Sequence, residues 1–445
     1  MNGPKLRIWH LLESYAPDYG GGAAITTRNI CRFLAERGHE VRVLCTENAG
    51  RADYSVRTEY DDSVRVDRIN LPYFKTEDPD GWRLGLARWH KHEKRIGTLL
   101  NELLNEWKPD LVDYHTSRPL GEECLISIAR RRIPIVATLH EGWLVCPRLM
   151  LLRSPTSRPC SGPGPLRCLE CLYSHYDGSH SRAMLKLPWR LIKLGIFPAY
   201  RLYRRSIARK KVIGALARSE FIAEVHRSHL NGIIRHIPLG VDLAGLPDER
   251  PARPRTPLRF GFVGGSQENK GISDVLDAAA SLKRKGYSFE LHVWGPGCEQ
   301  VEALIDARDL RDRVFTLGMY TSDECWRIYN EMDVAIMATT VCEPLGRVPM
   351  EAAAVGVPTI APAVGGIKET IRDGVDGLLY RFRDARDLER QMQRVIEEPG
   401  LLPQLIGGLR PVRDTRKMIS AVETFYYEAL GLVRDPAPVM LTQAL

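Results

Sequence analysis

The chain has 445 residues, of which 44% are hydrophobic, with 63 basic against 55 acidic side chains for a formal net charge of +8. That length exceeds one hydrophobic core and predicts two domains of about 200 residues each. No run approaches the roughly 18 apolar residues of a membrane span, the N-terminus lacks the basic-then-apolar build of a secretory signal, and ten cysteines in a chain of this size do not make a disulfide scaffold, so a cytoplasmic protein with reduced thiols is expected. The basic surplus is accompanied by no nucleic-acid recognition module, and nucleic acid is not an expected partner.

In chain order, short apolar runs predict strands at 6–12, 41–46, 64–71, 111–115, 133–139 and 212–216, with helices between several of them. After the first strand, Gly20, Gly21 and Gly22 precede a helix patterned by Ile25, Asn29, Ile30 and Phe33, and such glycines let backbone approach a ligand closely. The strand at 133–139 runs out in His140 and Glu141, placing His140 at the mouth of the sheet, the edge where open α/β folds bind ligands. Cys146, Cys160, Cys168 and Cys171 follow in one stretch rich in Pro, Gly and Arg. Four thiolates can close a tetrahedral structural zinc site, and a metal staple would order a segment that cannot build a core; free thiols and an iron–sulfur cluster are the alternatives. Six residues separate His140 from Cys146, so this loop would border the ligand-binding edge of the sheet. Residues 179–219 carry eleven Lys or Arg and no acid, mixed with Trp189, Phe197, Tyr200 and Tyr203. That mixture suits an anionic membrane surface, while its later part, 202–211, also reads as an amphipathic helix covering the sheet.

The proline-rich stretch 247–257 can neither continue a helix nor join a central strand, and divides the chain into 1–246, a linker at 247–257, 258–412 and a C-terminal segment at 413–445. Beyond it a buried strand closes in Gly264-Gly265, followed by Lys270-Gly271 and a helix of Ile272, Val275, Leu276 and Ala279 spacing. A strand, a tight turn and a lysine where a helix begins make a phosphate site, although the order is Lys-Gly rather than the Gly-Lys-Ser/Thr of a P-loop. Runs at 289–297, 314–318 and 333–337 read as further parallel strands. Then comes Cys342-Glu343-Pro344-Leu345-Gly346-Arg347-Val348-Pro349-Met350-Glu351, where a loop becomes a helix. Pro349 at the first helical position would set Glu351 in the first turn beside free backbone N–H groups, with Glu343 just ahead of the helix. One carboxylate could then accept both hydroxyls of a ribose and the other reach a transferred sugar, with the amides holding a diphosphate. The plain alternative is an acid stabilising a helix N-terminus plus a solvated loop glutamate. Arg347 reads either as an anion contact or as a solvated helix-end arginine.

Taken together and in this order, these motifs, with Ala352-Ala353-Ala354-Val355-Gly356-Val357-Pro358 and Ala363-Val364-Gly365-Gly366-Ile367-Lys368-Glu369, resemble the retaining GT-B glycosyltransferases of the large fourth family (glycosyl transferases group 1), over residues 8–433. The resemblance implies an α/β GT-B fold, two Rossmann-like doubly wound domains facing a cleft, with the last helix crossing back onto the first domain. It implies transfer with retention from a nucleotide-diphosphate sugar to a lipid-linked or polysaccharide acceptor at the cytoplasmic face of a membrane. Neither a protein nucleophile nor a catalytic metal is then required, since the leaving diphosphate helps to deprotonate the acceptor. The implied catalytic residues are Glu343, His140 and Lys270, the lysine standing in for the divalent metal used elsewhere. The implied donor-binding residues are Glu351, Gly21, Gly22, Gly264, Leu345, Gly346 and Arg347. Two departures stand out: Glu141 replaces the usual Asp after the histidine, and Gly264-Gly265-Ser266 lacks the arginine that many members carry there. The competing classes are a GT-B protein that only binds a glycan or partner, and a sugar-nucleotide hydrolase or epimerase; a glycosidase-like pairing of Glu343 with Glu351 is the competing chemistry.

Overall fold

The structure, a computed structural model, describes residues 3–16, 21–47, 53–71, 85–116, 120–154, 156–160, 162–176, 199–247, 254–321 and 324–433. Gly20, most of the first half of the basic segment, the middle of the proline-rich stretch and the C-terminal tail lie outside the described residues. The chain forms two compact units, Met1–Pro238 with Arg416–Met440 in one and Leu239–Thr415 in the other.

Unit one is built on strands β1 (Arg7–Leu11), β2 (Glu40–Glu47), β3 (Val56–Asp61), β4 (Val64–Asn70), β5 (Leu111–Tyr114), β6 (Ile135–Leu139), β7 (Leu152–Arg153), β8 (Arg158–Pro159), β9 (Gly214–Ala217) and β10 (Ile233–His236). The large sheet runs β10-β9-β6-β5-β1-β2-β4-β3, parallel except for the edge strand β3, and β7 and β8 make a separate hairpin. β5 and β6 are buried along their whole length, as strands covered by helices on both faces must be, and apart from Asp113 in β5 and Thr138 in β6 they read as apolar runs. Unit two carries β11 (Leu258–Val263), β12 (Phe289–Trp294), β13 (Val314–Gly318), β14 (Val334–Ile336), β15 (Thr359–Pro362) and β16 (Gly377–Tyr380), in the order β13-β12-β11-β14-β15-β16. Its core packs Phe260, Phe262, Leu291 and Ile336 of the sheet against Val275, Leu276 and Ala279 of the helix Ile272–Arg284. In each unit strand order reverses beside the first strand, between β1 and β5 and between β11 and β14. Open parallel sheets bind ligands outside the carboxyl ends of the strands at that reversal.

The six strands expected in the first half all form, within two residues at each end. The boundary differs from the expected one. The second unit begins at Leu239, because Val241 bridges to Asp414, Trp326 donates its indole N–H to Ala244 O at 3.0 Å, and Leu243 and Leu246 pack on the second unit's core. The helix Thr415–Ala429 returns to unit one, where Tyr427 Oη donates to Pro4 O and Glu423 bonds His39 at 2.9 Å.

The described part of the basic segment is the helix that the sequence offered for 202–211; residues 179–198, with Trp189 and Phe197, lie outside the described residues. Residues 199–209 are helical, and three of their arginines point into the protein. Arg205 is bonded to Glu122 at 2.9 and 3.0 Å, Arg204 pairs with Glu123, and the Arg201 guanidinium lies 3.8 Å over the Trp89 ring. Those charges are neutralised by buried carboxylates and are not available to an anionic surface. Among the described residues no helix is long and apolar enough to cross a membrane.

Candidate functional site

In unit two the chemistry gathers on the two loops that leave β11 and β14. Gly264 and Gly265 both donate to Trp294 O, closing the turn after β11 against the end of β12. Glycine is required there: Gly265 has φ 54°, and a β-carbon on it would lie 2.0 Å from Pro296 O. One on Gly264 would lie 2.8 Å from Lys270 Cβ, so the bare backbone leaves room for the lysine. A short 3-10 turn, Glu268–Lys270, then delivers Lys270 ahead of the helix, with Gly271 left-handed at φ 75° and a would-be β-carbon 2.0 Å from Ala338 O. On the facing loop, Thr339 Oγ1 donates to Asn269 O at 3.2 Å and Thr340 N to the same carbonyl at 2.9 Å, fastening the two loops together. Lys270 Nζ consequently lies 3.0 Å from Glu343 Oε1, which Thr339 Oγ1 also approaches at 3.4 Å. The lysine and Glu343 side chains are 34% and 18% exposed, so the pair is open to a ligand.

Glu351 departs from the expected geometry. The helix is Arg347–Ala354 and starts two residues before Pro349, capped by Gly346 at φ 85°. Glu351 therefore sits a full turn in, too far along to lie beside the free N–H groups of the first turn. Its buried carboxylate is held from two sides instead: Tyr329 Oη donates to Oε2 at 2.9 Å and Arg347 Nε to Oε1 at 2.9 Å. Arg347 is thus neither a solvated arginine nor a free anion contact but an i,i+4 partner of Glu351. Leu345 is buried, so its side chain serves packing. Gly365, with φ 57°, brings the family-like glycine pair against this loop, and Gly366 N donates to Glu343 O at 3.0 Å.

In unit one, Gly21 opens the helix Gly21–Glu36 with φ 70°, and Gly22 O accepts from Thr26 Oγ1 at 2.8 Å. His140 emerges at the end of β6 stacked on His115, with ring centroids 5.2 Å apart and His140 Nε2 2.9 Å from His115 Nδ1. His115 Nε2 in turn lies 3.0 Å from His10 Nδ1. Each contact needs one N–H and one lone pair, so the protons of three neutral rings are ordered end to end. His10 Nε2 has no hydrogen-bond partner. Beside the rings, Asp113 accepts from Thr138 Oγ1 at 2.8 and 2.9 Å and from Tyr426 Oη. His10, Asp113 and His115 are the one group of three metal-ligating side chains among the described residues whose donor atoms lie within 4.8 Å of one another; a hydrogen bond joins the two rings, and Asp113 Oδ2 lies 3.8 and 3.6 Å from them. Burial drives His10 and His115 down to about 3, with the Asp113 charge pulling His10 back up and Arg218 pushing His115 further down, and burial lowers His140 well below 6.5.

The sequence reading missed this network together with Tyr329 and Thr339. A signal existed in His10, Asp113 and His115, polar residues interrupting or closing strands that otherwise read as fully apolar. Tyr329 carried none, being 22 residues from Glu351 on another helix. The four loop cysteines line a single cavity.

The fold resembles that of sucrose-phosphate synthase from Thermosynechococcus elongatus, with a TM-score of 0.66 at 17% identity over 96% of this chain and 100% of that one. It likewise resembles the catalytic domain of starch synthase IV from Arabidopsis thaliana bound to ADP and acarbose, with a TM-score of 0.60 at 15% identity over 96% and 100%. Two Rossmann-like units of this topology define a GT-B glycosyltransferase fold. The model described as Glycosyltransferase Family 4 matches residues 20–244, and that described as Glycosyl transferases group 1 matches residues 248–407. A glycogen synthase of Mycobacterium tuberculosis is 32% identical over 455 aligned positions, 97% of each chain. The chain belongs to glycosyltransferase family 4.

Proposed function

We propose that this glycosyltransferase moves a sugar, with retention, from a nucleoside-diphosphate sugar to a hydroxyl of a polysaccharide or lipid-linked glycan. The observation that carries the reading is the pairing of Lys270 with Glu343 at the strand-order reversal of unit two, next to a Glu351 carboxylate already oriented by Arg347 and Tyr329. Glu351 Oε2 keeps a second lone pair beside its bond from Tyr329, which suits a ribose hydroxyl, while Oε1 already meets both Nε and Nη2 of Arg347. Lys270, held by Glu343 in the free protein, exchanges that partner for the donor diphosphate and supplies the charge a divalent cation would otherwise bring. Glu343 contacts the transferred sugar, and in unit one His140 and the Gly21–Gly22 turn stand at the ligand-binding edge of their own sheet.

In the reaction the acceptor oxygen bonds to the anomeric carbon as the bond from that carbon to the β-phosphate oxygen breaks. The acceptor proton passes to the departing diphosphate, on the face it leaves. Positioning and stabilisation of the leaving charge do the work, so no protein nucleophile enters. The 97% span shared with a glycogen synthase favours a glucan acceptor, and the ADP held by the starch synthase favours a nucleoside diphosphate in unit two.

The test is thermal stabilisation by UDP-, GDP- and ADP-sugars in wild type and Glu351→Ala, followed by product analysis with donor alone, with a glucan primer and with a lipid-linked glycan. Stabilisation by one nucleotide class that the variant loses, with product only when acceptor is present, supports the reading. Release of free or epimerised sugar from donor alone overturns it in favour of a hydrolase or epimerase, and binding without turnover on either acceptor makes the protein a binding module.

A further inference from the structure

We propose that Cys146, Cys160, Cys168 and Cys171 are the four thiolate ligands of one structural zinc ion. The inference stands apart from the transferase reading, since it concerns metal content alone. The four cysteines, spread over residues 146–171, converge on one cavity of about 390 Å³ including its open mouth. The other six cysteines of the chain are not among its lining residues, and all ten are free thiols.

The local build is that of a ligand loop. Between Cys146 and Cys160 the chain makes the β7–β8 hairpin, and Cys160 N donates to Leu151 O at 2.7 Å, carrying Cys160 back beside the turn that holds Cys146. Cys168 and Cys171 lie three residues apart on the helix Pro165–Tyr176, a spacing that puts both on one face. Two sulfurs already accept backbone N–H groups, Cys171 from Ser154 at 3.2 Å and Cys168 from Gly164 at 3.4 Å. Donors of this kind outside the ligand shell orient and stabilise metal-bound thiolates. Arg148, whose Nη1 lies 3.8 Å from Cys171 Sγ, lines the same cavity with Arg153 and Arg167, which suits the two net negative charges of zinc with four thiolates.

The loop also needs such a staple. Leu149, Leu151 and Ser157 all have positive φ, between 51° and 65°, a conformation costly for residues other than glycine. The sulfurs stand wider than a coordination sphere, since no three of them lie within 4.8 Å of one another. Zinc–sulfur bonds of about 2.3 Å would draw them inward and fix the strained loop. The ordered segment begins at the end of β6, where Gly142 N donates to Leu149 O and Cys146 N to Gly142 O, so the ion holds the stretch that follows His140.

The experiment is elemental analysis by inductively coupled plasma mass spectrometry of the full chain, produced with zinc in the medium and purified without chelator. About one zinc per chain is expected, falling at least about tenfold in the double variant Cys168→Ser with Cys171→Ser and unchanged in Cys298→Ser. Should the double variant fail to fold, wild type decides: cobalt exchanged into the site should show intense sulfur-to-cobalt charge transfer with tetrahedral ligand-field bands, and a mercurial should release the metal as four thiols are consumed. A metal-free protein whose loop thiols react as fast as Cys298 overturns the proposal. So does a loop disulfide found by mass spectrometry, or the visible absorbance and sulfide content of an iron–sulfur cluster.

Discussion

Acidification from about pH 7 to about pH 5.5 should destabilise unit one by an amount set by its buried histidines. Burial lowers His10 and His115 to about 3 from an ordinary 6.5, Asp113 pulling His10 back and Arg218 pushing His115 down. The unfolded chain therefore binds protons that the native state refuses. The stability so conferred is complete above the unfolded value near 6.5 and is lost progressively as pH falls below it, until the native value near 3 is reached. Linkage makes one such histidine worth about 1.2 kcal/mol between these two pH values, and the pair about 2.5 kcal/mol. The groups facing the rings are Thr27, Asp113, Thr138, His140, Arg218 and Tyr426. Asp113, which burial raises, contributes with the opposite sign, so the comparison rests on a variant. In His115→Asn the drop should shrink by about 1.2 kcal/mol whatever the variant's stability at neutral pH. Urea unfolding read by tryptophan fluorescence is the assay, because six of the eight tryptophans fall within residues 1–238. Wild-type and variant curves running parallel across this pH range would refute the reasoning, for they would mean that His115 is protonated in the folded protein as easily as in the unfolded one.

Lys270→Ala should lower kcat by about two orders of magnitude while shifting the melting temperature little, since an ion pair still open to solvent stabilises weakly; release of nucleoside diphosphate measures the first and a thermal scan the second. Tyr329→Phe leaves Glu351 Oε2 without its phenol and should cost about 1–3 kcal/mol in urea unfolding of unit two, with a raised KM for donor. Gly271→Ala, which sets a β-carbon 2.0 Å from Ala338 O at φ 75°, should destabilise unit two by at least about 1–3 kcal/mol, and hydrogen exchange near Lys270 should rise. Arg205→Ala removes both hydrogen bonds the arginine gives the buried Glu122, leaving it Arg201 at 3.8 Å, and should cost about 3 kcal/mol in unit one, a penalty that Arg205→Lys recovers in part.

The fold was legible because its central strands are covered on both faces, so that apolar runs such as 133–139 and 258–263 stood out against the turns that close them. The short strands β15 and β16, four residues each, gave no comparable run, and the polar edge strand β3 had no buried face to betray it. Within the site, Lys270 and Glu343 could be named because each ends a strand–turn unit, yet their direct contact, 73 residues apart in sequence, came only from the pairing of β11 with β14. Pro349 misled, since proline is tolerated throughout the first helical turn, whose N–H groups need no partner inside the helix. Within 199–209 composition could not tell an arginine that faces solvent from one, like Arg205, that faces a buried glutamate.

The C-terminal helix imposes an order on how the molecule is made. Tyr426 reaches Asp113 across 313 residues of sequence, and His39 and Pro4 likewise await Glu423 and Tyr427. A ribosome synthesising this chain has released all of Leu239–Thr415 before it supplies those partners. The second unit's whole sequence thus precedes the helix that completes the first, which, though begun earlier, stays open along one face until that helix arrives. A chain cut short before the final helix would carry a finished second unit and an unfinished first, and quality control would meet the defect at the end of the protein that was made first.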